Sequence, residues 1–88
     1  MTKYIRKHGH EALKHENSWI VLNSEAFTVT ALNETGGYCW QLLKHPQTDT
    51  SLVRSMKEQF QTEGDQMEED VRLFLVNLLE LDLIENAG

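Results

Sequence analysis

The stretch FTVTALNETGGYCW, Phe27 to Trp40, changes its hydrophobic period half way along, and that change constrains the fold more than any other feature. From Phe27 to Leu32 the residues alternate as in an extended strand. Phe27, Val29 and Ala31 fall on one side, and Thr28, Thr30 and Leu32 on the other. From Asn33 onward the period is helical. Asn33 suits an N-cap, Glu34 and Thr35 suit a first turn, and the pairs Tyr38, Leu42 and Trp40, Leu43 recur at helical spacing. A strand therefore runs into a helix with almost no loop, and the chain divides there into strands before and helices after.

Upstream, Trp19 to Leu22 (WIVL) is a compact run of β-formers between the turn residues Asn17, Ser18 and Asn23, Ser24. It predicts an antiparallel hairpin with Phe27 to Leu32. Gly9 to Glu16 supplies a weaker third strand, with Ala12 and Leu13 as anchors. Met1 to His8 is polar and basic apart from Tyr4 and Ile5, and reads as a loose arm or a short first strand. Gly36 and Gly37 together cost roughly 2 kcal/mol of helix propensity relative to Ala. Such a cost predicts a close backbone approach, most simply of the helix start to the sheet.

Downstream, Lys44, His45 and Pro46 end the first helix. Thr48 caps a second helix of about a dozen residues, with Leu52, Val53, Met56 and Phe60 as its apolar stripe. Thr62, Glu63 and Gly64 form the next loop. Asp65 followed by Glu68 is a capping-box-like start for a third helix from Gln66 to Leu81. Met67, Val71, Phe74, Leu75, Leu78 and Leu81 mark its core face. Leu73, Val76 and Leu79 fall outside that face, to be covered by another element or by a partner, and Leu83 and Ile84 pack the end of the chain.

This order predicts one domain over residues 1–88, of α+β class: a winged-helix-like domain in which a three-stranded antiparallel sheet is followed by three helices. A three-stranded sheet has open edges, and an open edge is a hazard unless blunted or used. The strand Phe27 to Leu32 carries neither charge nor proline to discourage pairing.

A net charge of −6 opposes binding to nucleic acid or to an anionic membrane surface. One cysteine, Cys39, permits no internal disulfide and fits a reducing cytoplasm. No apolar run approaches the length of a membrane span. His8, His10, His15 and His45 lack any ligand spacing such as HExxH, and Cys39 has no base beside it in sequence. No metal, cofactor or catalytic constellation is expected, and the chain does not read as an enzyme.

The ordered set Leu32-Asn33, Gly36-Gly37, Cys39-Trp40, Asp70-Val71, Phe74-Leu75 and Leu78 resembles the PqqD-like family, the peptide-recognition elements of ribosomally synthesised peptide natural products. The likeness runs from about Trp19 to the C-terminus. Asp82 replaces the family's usual Gly after the last helix, and His45-Pro46 its usual Asp-Gly before the second.

The resemblance implies a module that binds the leader segment of a precursor peptide and does no chemistry itself. A free-standing domain of this size looks most like the leader-binding component of lasso peptide biosynthesis, which delivers precursor to a leader peptidase and a cyclase. The leader is expected to add as a strand to Phe27, Thr28, Val29, Thr30, Ala31 and Leu32, and to press side chains against Asp70, Leu73, Phe74 and Asn77 of the third helix. The acids Glu68, Glu69, Asp70 and Glu80 favour a leader bearing Lys or Arg. A winged-helix DNA-binding or transcription-regulatory domain would share the architecture, but neither later helix carries a basic stripe.

Overall fold

The computed structural model describes residues 2–62 and 64–88, so Met1 and the loop position Glu63 lie outside the described residues. The elements follow in the order β1 (Tyr4–Arg6), β2 (Glu11–His15), β3 (Ser18–Asn23), β4 (Thr28–Leu32), α1 (Glu34–Leu42), α2 (Asp49–Phe60), α3 (Gln66–Glu80) and β5 (Ile84–Asn86). The sheet β2-β3-β4 is antiparallel throughout, with Val21 opposite both Ala12 and Thr30. A winged-helix-like α+β arrangement of three strands followed by three helices is thus observed.

Of the two readings of residues 1–8, the structure has the short strand rather than a loose arm. Tyr4–Arg6 pairs antiparallel with Ile84–Asn86, Tyr4 exchanges backbone hydrogen bonds with Gln47, and the Arg6 N–H donates to the Leu43 carbonyl at 3.0 Å. This two-stranded ribbon stands apart from the main sheet. Its two strands lie some eighty residues apart in sequence, so a search for local pairing misses it.

The helix starts follow their capping chemistry. The Gly36 N–H donates to Asn33 Oδ1 at 2.8 Å, so strand passes to helix through one residue. Thr48 and Ser51 form a reciprocal capping box on α2. The expected cap on α3 is absent. Asp65 is itself near-helical and makes no side-chain cap bond, and its carbonyl instead accepts from the Glu68 N–H at 3.1 Å.

The core lies where the sheet meets the helices. Val21 and Leu32 pack with Cys39, Trp40 and Leu43 of the α1 region, Leu52 and Met56 of α2, Val71, Leu75 and Leu78 of α3, and Leu83 and Ile84 beyond it. Each such side chain contributes roughly 1.5–3 kcal/mol by leaving water. Met67 and Phe74 are half-buried, and Leu81, expected in the core, is exposed. Leu73, Val76 and Leu79 are also exposed, so no described element covers them.

Candidate functional site

Strand β4 is an edge: among the described residues it pairs with β3 alone. Its outer margin is therefore a row of backbone groups without strand partners. Beside it runs α3, and between the two lies an open cleft of about 420 Å³. Thr30, Ala31 and Leu32 form the strand wall, and Phe74, Asn77, Leu78 and Leu81 the helix wall, with Glu80 at the far end.

A second cleft of about 340 Å³ continues past the end of β4. Thr35 and Cys39 of α1, Met56 of α2, and Met67, Asp70 and Val71 of α3 line it. Asn33, Gly36 and Phe74 belong to both clefts, so the two form one groove along α3. Phe74 stands at the junction because Gly36 lacks a side chain. A Cβ there would lie 3.1 Å from Phe74 Cε1. The glycine that weakens the helix start is what lets the ring sit against it.

The groove wall on α3 is Met67, Asp70, Phe74, Asn77 and Leu81, spaced three, four, three and four. Such a stripe is one flank of a helix. Asp70, Phe74 and Asn77 thus stand in the groove. Leu73 points out to solvent at 55% exposure and lines neither cleft. On the strand side, Thr28 to Leu32 form the edge strand. Phe27 is not part of the strand. Its φ is +55°, a left-handed turn conformation, and it is 91% exposed at the β3–β4 connection. Alternation continues through Phe27 in sequence, but the backbone turns there to close the hairpin.

Alternation also left open which side of β4 faces inward. The structure buries Leu32 and half-buries Thr28 and Thr30, while Val29 and Ala31 face out. Thr28 lies opposite the buried Asn23, whose Oδ1 accepts from the N–H groups of Glu25 and Ala26. Asn33, Thr35, Gly36, Met67 and Leu81 also line the groove, and the sequence reading did not select them; Glu80, named there only for its charge, lines it too. Met67 and Leu81 lie seven residues either side of Phe74, a signal legible once Phe74 is placed in the groove.

Burial pushes the Cys39 thiol up to about 12 from 9.0, so it stays a neutral thiol. Among the described residues no group of three or more potential metal ligands gathers, and no helix is long and apolar enough to cross a membrane.

Comparison with known proteins gives two matches. The family described as "Coenzyme PQQ synthesis protein D (PqqD)" matches residues 18–84. Among solved structures, the fold superposes on TbiB1, determined "in Complex with the TbiA(beta) Leader Peptide", with a TM-score of 0.82 and 19% sequence identity. That match covers 96% of this chain and 98% of the other. No curated protein sequence matches.

Proposed function

The chain belongs to the PqqD family, and on that premise we propose that it binds the leader segment of a ribosomally synthesised precursor peptide by strand addition to β4. The single observation that carries this reading is the unpartnered edge of β4 beside a groove walled by α3. An added strand gains main-chain hydrogen bonds from the edge, and its alternate side chains enter the groove. The likeness in fold to a leader-bound protein supports the same reading.

The protein then acts as a non-catalytic adaptor. It holds the leader and leaves the rest of the precursor free for modifying enzymes, a leader peptidase and a cyclase if the product is a lasso peptide. A reducing cytoplasm is the compartment this assigns. A DNA-binding role finds no support on α3, where Arg72 is the only cation among four acids.

The test is a titration of a labelled candidate leader peptide followed by fluorescence anisotropy. Dissociation constants in the micromolar to nanomolar range are expected, roughly −8 to −12 kcal/mol. N-methylation of successive leader amides should weaken binding at every second position, because only alternate N–H groups of an added strand face β4. Binding that ignores N-methylation would overturn strand addition.

A further inference from the structure

The groove's charges are unbalanced in one direction. Its ionisable lining groups are Asp70, Glu80 and the neutral thiol of Cys39, and no Lys or Arg lines either cleft. The strand and α1 contribute only neutral side chains. Among the described residues neither carboxylate joins an ion pair, and Asp70 accepts only from Gln66 Nε2 at 2.9 Å. Nearby cations gather elsewhere. Arg54, Lys57 and Arg72 line a separate cleft between α2 and α3, together with Asp49 and Glu68.

The two carboxylates stand at opposite ends of the groove with Phe74 between them. Ten residues of helix separate them, about 15 Å along the axis at 1.5 Å per residue. An extended peptide covers that distance in about four to five residues at roughly 3.3 Å each. Side chains of a strand point to one face only at even spacing, which selects four.

We propose that the groove selects a peptide with the pattern cation, any residue, apolar residue, any residue, cation. One cationic side chain meets Asp70, the apolar one enters between Phe74 and Leu78, and the second cation meets Glu80. The pattern is symmetric, so it holds for either strand direction. The inference rests on strand addition to β4, and it names the class of leader that the edge accepts.

The test compares two labelled synthetic peptides that differ only in a central segment, Lys-Thr-Leu-Thr-Lys or Glu-Thr-Leu-Thr-Glu. At low salt the Lys peptide should bind at least about tenfold tighter, from roughly threefold per exposed carboxylate pair and a matching repulsion in the Glu peptide. The preference should fall below about twofold at 0.5 M NaCl. Moving one Lys by a single residue should cost about threefold, because its side chain then leaves the groove face. The double variant Asp70→Lys, Glu80→Lys should reverse the preference. Equal binding of both peptides overturns the charge pattern and leaves strand addition standing. Failure of both peptides while the natural leader binds also overturns the pattern. Failure of the natural leader as well removes the groove reading itself.

Discussion

The indole of Trp19 lies directly on the backbone of Gly37. A Cβ at residue 37 would fall 2.6 Å from Trp19 Nε1 and 2.7 Å from Cγ, so no side chain fits. Trp19 leaves β3 on the face toward α1, and Gly37 is where the helix comes closest to the sheet. The glycine's helix cost is thus what the packing of strand on helix requires. Gly37→Ala should lower stability by about 2 kcal/mol, since overpacking of about 3 kcal/mol outweighs about 1 kcal/mol of helix propensity regained. Urea unfolding checks this, and an unchanged midpoint would show that the ring moves aside freely.

Phe74 and Leu73 are neighbours in sequence with different surroundings. Phe74 joins the two clefts against Gly36, while Leu73 faces solvent. Phe74→Ala should weaken leader binding about tenfold or more, with Phe74→Leu intermediate, and Leu73→Ala should change it less than about threefold. Anisotropy titrations on variants with wild-type circular dichroism decide the matter. The opposite ranking would move the peptide to the outer face of α3.

Cys39 makes stability fall at alkaline pH. Its folded pKa of about 12 lies above the usual 9.0, so between those values the folded state keeps a proton that the unfolded chain releases. Unfolding free energy should therefore decline from about pH 9, by up to about 1.4 kcal/mol per pH unit for one group. Lys7, raised by its hydrogen bond to Asp82, acts in the same direction, but only above its ordinary value of 10.5. Cys39→Ala should remove the part of the slope that begins near pH 9. If that slope survives the substitution, another group is responsible.

Arg6 ties the terminal ribbon to the core. Its guanidinium sits 5.3 Å from the centroid of the Trp40 ring, and partial burial lowers its pKa. Arg6→Ala should cost about 1 kcal/mol through the lost cation–π contact and stem packing, or roughly 4–8 °C in Tm. A melting temperature equal to wild type would mean that the pairing of Tyr4–Arg6 with Ile84–Asn86 alone holds the ribbon.

Local patterns carried much of the fold. Asn33 announces the passage from strand to helix because its side-chain oxygen can satisfy a free N–H wherever the chain goes next. Thr48 does the same for α2. Gly36 and Gly37 mark close approach because their cost is local and demands a local reason. The pairing of Tyr4–Arg6 with Ile84–Asn86 was not legible, since the partners lie some eighty residues apart and neither segment has a strong period of its own.

By itself, then, the sequence determined the three strands of the main sheet, the three helices after them, the buried centre Val71, Leu75 and Leu78 of α3 and the uncharged character of β4, because periodicity and capping act within a few residues, while the strand Ile84–Asn86 was missed. Only the tertiary structure decided which side of β4 turns inward, that Phe27 leaves the strand, that Phe74 and Asn77 rather than Leu73 face the edge, and that Asp70 lines the groove beyond its end. Each of those depends on how one element is rotated against another. That rotation is set by contacts such as Trp19 on Gly37 and Phe74 on Gly36, which join residues far apart in the chain.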